Sequence, residues 1–186
     1  MDVRFDLDPS VTPELRDGIC ALWADVSNAG GAVGFVPPVT AEDIRPDLLR
    51  HLTAMAEGRE RLVVGRDDGG TSRSSGAESG GGRVLATAFL TLNSHRLMRH
   101  WLWVYTVMVH PALQGRGTGR ALMSAVADAA RTLDGIGGIR LTCRGGTGIS
   151  RFYVSCGYKE VGRVPGAIKV AEGDLRDDVT MWLELA

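Results

Sequence analysis

Apolar residues recur along the first third of the chain at two spacings, which predict a strand followed by two helices. Alternation over residues 3–7 is typical of a half-buried strand. Residues 13–27 and 41–57 carry apolar side chains three and four positions apart, as one buried face of a helix requires. Thr12 and Thr40 precede these segments as N-cap residues, and Thr40 begins a sequence that resembles a capping box.

The remaining pattern predicts a mixed α/β domain. A helix after a glycine-rich loop runs to about residue 133, and a second helix is predicted with Thr147 as its cap. The predicted strands are 62–65, 84–92, 101–109, 139–143, 158–164 and 179–185. The order is strand, two helices, three strands, helix, strand, helix, two strands. We therefore expect a mixed sheet of about seven strands and about four helices, antiparallel at first and crossing over through the late helices.

Two segments between these elements lack regular periodicity. Residues 28–38 are punctuated by glycine and proline and carry one large apolar side chain, Phe35, so the segment is either a plain connection or a flap that contacts a ligand. Residues 67–83 are rich in glycine and serine and have no apolar anchor. We expect them to form a disordered hairpin tip, so residues 1–186 make a single domain.

Composition places the chain among ordinary globular proteins. It has 186 residues, of which 44% are apolar and 23% charged. No apolar run approaches the roughly 20 residues that a membrane helix needs. The first residues lack the pattern of a signal peptide, so a cytoplasmic protein is expected. Cys20, Cys143 and Cys156 are odd in number and lie in apolar or strand-like settings, which favours reduced, packed thiols.

Charge is unevenly distributed although the net charge is only −1. Residues 1–60 hold eleven acidic and five basic residues, whereas residues 95–160 hold three acidic residues against nine arginines and lysines. A basic half suits a phosphate-bearing ligand and an acidic half a cationic one, although solvated surface charge would give the same count. Neither nucleic acid nor a membrane is expected as a partner, because the overall balance is not basic.

Residues 107–123 read as a strand, a glycine loop and the start of a helix, an order that makes an anion site. Three anionic ligands are candidates for this site. A dinucleotide fingerprint needs a different spacing of its third glycine, and a P-loop needs Gly-Lys-Ser/Thr after its glycines. The third is a pyrophosphate bound by the backbone N–H groups of residues 115–120, with charge from Arg116 and Arg120.

Two segments resemble motifs of a known enzyme family. Residues 107–123, Val-Met-Val-His-Pro-Ala-Leu-Gln-Gly-Arg-Gly-Thr-Gly-Arg-Ala-Leu-Met, are similar to the signature of the GNAT superfamily of acyl-CoA-dependent N-acetyltransferases. Gln114, Gly117 and Gly119 match its pyrophosphate-binding core. Residues 152–158, Phe-Tyr-Val-Ser-Cys-Gly-Tyr, resemble the second family motif. The predicted order of elements is also the family's order, so the resemblance covers most of residues 60–165.

The resemblance implies a GNAT-like sheet, acetyl-CoA as co-substrate and no metal. The strand ending at residue 109 would diverge from the next strand, so that its backbone groups pair with pantetheine amides and one N–H stabilises the oxyanion. The cofactor-binding residues that it implies are Val107, Met108, Val109, Gln114, Gly115, Arg116, Gly117, Thr118, Gly119 and Arg120. Tyr153 matches the general acid that protonates the leaving thiolate; by spacing alone it would be a core residue.

The sequence departs from the family at two places. Gly145-Gly146-Thr147-Gly148 stands where many members have an asparagine, and Arg144 beside it either contacts the cofactor or faces water. No carboxylate lies on the strands beside the expected cleft, so a general base is not identifiable. Tyr105, His95, His100 and a water chain remain alternatives, and His110 is more consistent with a structural role.

These observations predict direct transfer of an acetyl group from acetyl-CoA to a primary amine of a small molecule. Residues 30–35 and 161–166 resemble segments of the tabtoxin-resistance acetyltransferase branch, which suggests an antibiotic or amino-acid-like acceptor. The acidic first third would bind that acceptor through Phe35, Glu42 and Asp43. Acetylation of a peptide or protein, and a non-catalytic acyl-CoA-binding regulatory module, are the alternatives. A homodimer is compatible with the sequence.

Overall fold

The computed structural model describes residues 3–67 and 82–185 and contains the predicted elements in the predicted order. The strands are β1 Val3–Leu7, β2 Glu60–Asp67, β3 Val84–Leu92, β4 Trp101–Val109, β5 Gly138–Arg144, β6 Lys159–Ala171 and β7 Asp174–Glu184. The helices are α1 Pro13–Asn28, α2 Ala41–Ala56, α3 Thr118–Arg131 and α4 Ile149–Ser155, with a 3-10 turn at Pro111–Leu113. The predicted α/β class is confirmed. The expected hairpin tip at 67–83 falls largely on residues 68–81, which lie outside the described residues.

All seven strands join one sheet in the order β1-β2-β3-β4-β5-β7-β6. Every neighbouring pair is antiparallel except β4 and β5, which run parallel. Their pairing is confined to Trp101–Trp103 against Gly138–Arg140. Beyond these three pairs the two strands diverge, as the family resemblance implies, and leave a wedge-shaped opening towards the C-terminal end of β4.

The sheet carries a hydrophobic core on each face. One core contains the inner side of α3 together with Tyr153 and Tyr158, and the other contains α1 and α2. Along β2 the side chains alternate between them, with Val63 in the first core and Leu62 and Val64 in the second. Both faces of the sheet are therefore covered near β2 and β3, which fixes the position of β4 relative to the helices.

The predicted helix starts are partly confirmed. The Thr12 hydroxyl accepts a hydrogen bond from the N–H of Leu15 at 3.2 Å, and Thr40 forms a capping box with Asp43. The prediction for Thr147 is wrong, because α4 begins after Gly148 in a left-handed conformation that provides no side-chain cap. The Thr147 hydroxyl instead donates to the carbonyl of Arg144 at 3.0 Å. None of the described helices is long and apolar enough to cross a membrane.

The last two strands are longer than the sequence predicted and form one hairpin. The expected break at Pro165-Gly166 does not end β6, because an irregularity in register between Val164 and Ile168 absorbs the residues that cannot pair. Most of β6 is exposed to solvent, so its apolar pattern was too weak to reveal its full length.

Candidate active site

A single cavity of about 940 Å³ occupies the opening between β4 and β5. Its lining includes the glycine loop and the start of α3, and also the segment after α1 and part of α2. The walls between them come from residues 104–107 of β4, residues 141–144 of β5 and residues 149, 152 and 153 of α4. The cavity therefore joins the expected cofactor site to a second compartment.

The glycine loop has the geometry of an anion-binding turn. Gly115 and Gly117 have φ angles of +73° and +87°, which other residues adopt only with strain. The first hydrogen bond of α3 runs from the N–H of Ala121 to the carbonyl of Gly117, at 3.0 Å. The N–H groups of Thr118 and Gly119 consequently precede any acceptor within the helix, and the positive end of the helix dipole coincides with them.

The third glycine contributes in a different way. A Cβ on Gly119 would lie 3.2 Å from the ring of Phe152, so the start of α3 packs closely against α4 and a side chain there would require that ring to shift slightly. This contact places the glycine loop beside the helix that carries Tyr153. The two sequence motifs are thus adjacent in space, although more than thirty positions separate them.

Most of the predicted cofactor-binding residues line the cavity. These are Val107, Val109, Gln114, Gly115, Gly117, Gly119 and Arg120. Three do not: Met108 is buried on the side of α1 and α2, Arg116 is exposed to solvent, and Thr118 is half-buried outside the cavity lining. The Gln114 amide donates to the carbonyl of Val109 at 3.2 Å, which fixes the end of β4 against the loop.

β4 contains a bulge in the middle of the cavity wall. Phe89 pairs with Tyr105 and Thr87 pairs with Met108, so two residues of β4 stand opposite one residue of β3. Thr106, the first of the two, has a φ angle of +53°. Because β5 pairs with β4 only as far as Trp103, the backbone of the bulge has no ladder partner on the β5 side, where a ligand could pair with it.

Tyr153 lies on α4 with only 7% of its surface exposed and lines the cavity. Its ring packs edge-on against those of Phe152 and Tyr158, with centroids 5.2 and 5.8 Å away. Burial raises the pKa of Tyr153 above its ordinary value, so the hydroxyl is protonated throughout the neutral range. The group therefore carries a proton at neutral pH, and burial makes it a weaker acid than a free phenol.

The cysteines show the properties of packed thiols. Burial raises the pKa of Cys143, which lines the cavity, to about 11, and it also raises the pKa values of Cys20 and Cys156. A thiolate is the nucleophilic form, so these environments disfavour an acyl-enzyme. Among residues 3–67 and 82–185, no group of three or more His, Cys, Asp or Glu side chains could hold a metal ion.

The segment after α1 contributes directly to the second compartment. Residues 29–35 line the cavity, and Phe35 packs edge-on against Trp23 at 5.7 Å. The Trp23 indole donates to the carbonyl of Val33 at 2.8 Å. The Asn28 side chain bonds both the carbonyl and the N–H of Val39, at 2.7 and 2.9 Å, and so ties the two ends of the segment together. The segment is a fixed wall rather than a loose connection.

Glu42 and Asp43 do not line the cavity, in contrast to the sequence-based expectation. Glu42 forms two hydrogen bonds with Arg45, and Asp43 closes the capping box with Thr40. Their carboxylates therefore stabilise the first turn of α2. The acidic residue of α2 that lines the cavity is Asp47, one turn further along the helix.

Two polar residues near Asp47, namely His51 and Glu60, were not identified from the sequence. His51, one turn beyond Asp47, lines the cavity, and its Nδ1 lies 2.7 Å from a carboxylate oxygen of Glu60 on β2. The spacing of Asp47 and His51, four apart on one helix, was visible in the sequence, but nothing in the sequence connected His51 with Glu60.

The three side chains that the sequence offers as a general base lie in different places. Tyr105 lines the cavity, is 41% exposed, and burial raises its pKa. His95 and His100 are exposed in the turn before β4, at the end of that strand away from the bulge, and do not line the cavity.

Solved structures share this fold over the whole chain. A provisionally identified phosphinothricin N-acetyltransferase has 19% identity and a TM-score of 0.74, with 100% of this chain and 99% of that chain covered. A provisionally identified acetyltransferase from Salmonella typhimurium, solved with its cofactor acetyl-CoA, has 19% identity and a TM-score of 0.68, covering 98% and 94%. The ribosomal-protein-alanine N-acetyltransferase from Brucella melitensis has 19% identity and a TM-score of 0.69, with 100% of each chain covered.

The family model for the GNAT acetyltransferase domain matches residues 59–160, which include the glycine loop, the β4 bulge and Tyr153. This match covers more than half of the chain. The protein therefore belongs to the GNAT acetyltransferase family and is an acetyl-CoA-dependent acyltransferase.

Proposed function

We propose that the protein transfers an acetyl group from acetyl-CoA directly to a primary amine of a small molecule. The observation that carries the proposal is the single cavity, which joins the glycine loop to a compartment walled by residues 29–35 and α2. Its volume of about 940 Å³ is within the range of small-molecule sites, roughly 300–1,000 Å³. Two reactants can therefore meet inside it.

The cofactor would bind along the wall that the family motifs form. Its pyrophosphate would accept hydrogen bonds from the N–H groups of residues 115–120, with Arg120, which lines the cavity, supplying charge from the helix. Its pantetheine amides would pair with the backbone at Val107 to Val109. This arrangement would place the thioester at the bulge, between β4 and Tyr153.

The chemistry then needs three groups. The amine nitrogen attacks the thioester carbonyl, and a backbone N–H of the bulge stabilises the oxyanion. Collapse of the intermediate breaks the C–S bond, and the Tyr153 hydroxyl protonates the departing thiolate. The tyrosine recovers its proton from the nitrogen, which becomes a neutral amide. The buried hydroxyl of Tyr153 suits this step because it is not ionised at neutral pH.

An amino-acid-like or antibiotic acceptor is favoured over a polypeptide. The hydrogen bonds from Trp23 and Asn28 hold residues 29–35 across the second compartment, where a peptide acceptor would need an open groove. The similar structure described as a phosphinothricin N-acetyltransferase is consistent with a small amine. The ribosomal-protein-alanine N-acetyltransferase with the same fold keeps the peptide alternative open to the test.

The decisive experiment follows release of CoA thiol from acetyl-CoA with a panel of amino acids, phosphinothricin, polyamines, aminoglycosides and peptides. We expect turnover with a small amine and a mass increase of one acetyl group on that amine. Turnover with peptides alone would support the protein-acetyltransferase alternative. Tight CoA binding without amine-dependent thiol release would support the regulatory module.

A further inference from the structure

His51 belongs to a hydrogen-bonded chain that leads from the cavity into the sheet. Its Nδ1 lies 2.7 Å from one carboxylate oxygen of Glu60, and the hydroxyl of Thr91 donates to the other oxygen at 2.8 Å. Glu60 is 8% exposed, so both of its oxygens are engaged in a largely buried place. The imidazole also stacks on Phe89, with ring centroids 4.1 Å apart. The ring is held by polar and apolar contacts at once.

The partner of Nδ1 determines which nitrogen can accept a proton. An ionised Glu60 could only accept a hydrogen bond, and a neutral His51 paired with it would carry its proton on Nδ1. Nε2 then carries the lone pair. Among the described residues, no hydrogen bond to Nε2 is present, and the side chain is 20% exposed into the cavity. This is the arrangement in which a carboxylate orients a histidine as a base.

The register of the sheet places this imidazole near the reacting end of the cofactor. Phe89, on which His51 stacks, pairs directly with Tyr105, the last residue of β4 before the bulge. Directly opposed side chains of an antiparallel pair have Cβ atoms about 5 Å apart and project from the same face. His51 therefore stands on the face of the sheet that α1 and α2 cover, beside the bulge. Tyr153 approaches from the core on the other face.

We infer that His51 is the catalytic base that removes a proton from the acceptor ammonium group, and that Glu60 is the residue that positions it. The inference rests on the proposed function. Nε2 takes one proton from R–NH₃⁺, and the free lone pair on nitrogen attacks the thioester. A second N–H proton replaces the one that Tyr153 gives to sulfur. His51 then releases its proton to water, so the products are the amide, CoA thiol and one proton.

The electrostatic surroundings of His51 favour a cationic acceptor. Glu60 faces it from β2, Asp47 precedes it by one turn on α2, and Tyr105 is the titratable group of β4 on this side. α1 contributes the apolar indole of Trp23, 6.0 Å from the imidazole. A protonated amine entering between aromatic rings and two carboxylates is attracted, and it meets a base on arrival.

The test compares His51→Gln with the parent enzyme, because a glutamine amide can still donate to Glu60 but cannot accept a proton. With the amine identified by the thiol-release screen, kcat/KM for that amine should fall about 10²-fold. The dissociation constant for acetyl-CoA should stay within about twofold of the parent value, since His51 is on the acceptor side. His100→Gln, in the exposed turn before β4, is the matched control and should retain parental kinetics.

The pH dependence separates a base from a merely structural residue. The ratio of kcat/KM for the parent to that for His51→Gln cancels the titration of the acceptor. It should rise with increasing pH, because only a neutral imidazole can accept a proton from the acceptor. Glu60→Gln should give a smaller loss of kcat/KM and displace this rise along the pH axis.

Several outcomes would contradict the assignment of His51 as the base. Parental kcat/KM in His51→Gln, or a ratio that does not vary with pH, would overturn it while leaving the proposed function in place. If His51→Gln fails to fold, as judged by loss of acetyl-CoA binding, a Glu60→Gln enzyme with the parental pH profile would overturn it. A parent enzyme inactive towards every amine would overturn both.

Discussion

Asn28 offers the sharpest test of whether the wall after α1 forms the acceptor compartment. Its side chain makes two hydrogen bonds to the backbone of Val39, a residue that is only 7% exposed. A neutral hydrogen bond contributes about 0.5–1.5 kcal/mol, and a buried group left unpaired costs more. Asn28→Ala should therefore destabilise the fixed form of the segment by about 2 kcal/mol, at the centre of the range for two bonds.

That energy corresponds to a change of up to about 30-fold in the population of the fixed wall. We expect Asn28→Ala to raise the KM for the acceptor amine by as much as this factor. At saturating acceptor, kcat should recover because the bound amine itself favours the closed wall. Acetyl-CoA affinity should change little, since Asn28 does not line the cavity and its two side-chain hydrogen bonds go to Val39 rather than to the glycine loop.

Asn93→Ala is the matched control. The Asn93 amide also donates to a backbone carbonyl, that of Trp101 at 2.7 Å, but it does so in the turn between β3 and β4. Both variants should show a lower melting temperature, whereas only Asn28→Ala should affect the acceptor KM. Steady-state thiol-release kinetics and thermal denaturation measure the two effects. An unchanged acceptor KM in Asn28→Ala, or an equal rise in Asn93→Ala, would refute the reasoning.

Three further outcomes are expected. Tyr153→Phe should lower kcat by about 10²-fold or more with little change in acetyl-CoA affinity. The control Tyr158→Phe removes a buried hydroxyl that has no partner in the described structure, so it should keep the parental kcat. Equal losses of kcat for the two variants in single-turnover assays would refute the acid role. Asp47→Asn should raise the KM of a cationic acceptor, whereas Glu42→Gln should leave it unchanged. Measuring KM with a charged and with a neutral amine checks this expectation. Burial raises the pKa values of Tyr153 and Tyr158 in the folded protein above the value of about 10 that tyrosine has in an unfolded chain. The unfolded state therefore loses these protons first, and the free energy of unfolding should fall above about pH 10. Urea titrations on either side of that pH that show no decline in the alkaline range would contradict this expectation.

The fold was largely predictable because its strands and helices carry strong periodic patterns. The order of elements and the capping box at Thr40 followed from residues close together in sequence, whereas the divergence of β4 from β5 was implied by the family resemblance. The mistakes fall where the local signal was weak. Thr147 resembled an N-cap, but the following Gly148 adopts the left-handed conformation and starts α4 one residue later.

The candidate site was only half predictable for a related reason. The glycine loop is a contiguous motif, so its residues could be read directly. The acceptor compartment is assembled from α1, α2 and β4, and charge counting could not show which acidic side chains face it. Glu42 was expected there, yet Arg45 binds it at the start of α2. The contact between His51 and Glu60 depends on how α2 packs on β2, which no local pattern encodes.

The short parallel pairing of β4 and β5 makes the sheet behave as two half-sheets joined at a hinge. Only the pairs from Trp101–Trp103 to Gly138–Arg140 connect them, and a bound pantetheine would act as a surrogate strand that completes the ladder above the hinge. Cofactor binding should therefore stiffen the whole sheet. At the hinge, any Cβ on Gly138 would lie 2.4 Å from the Trp182 indole. The close packing of Gly138 against Trp182 thus bears on how β4 and β5 begin to diverge.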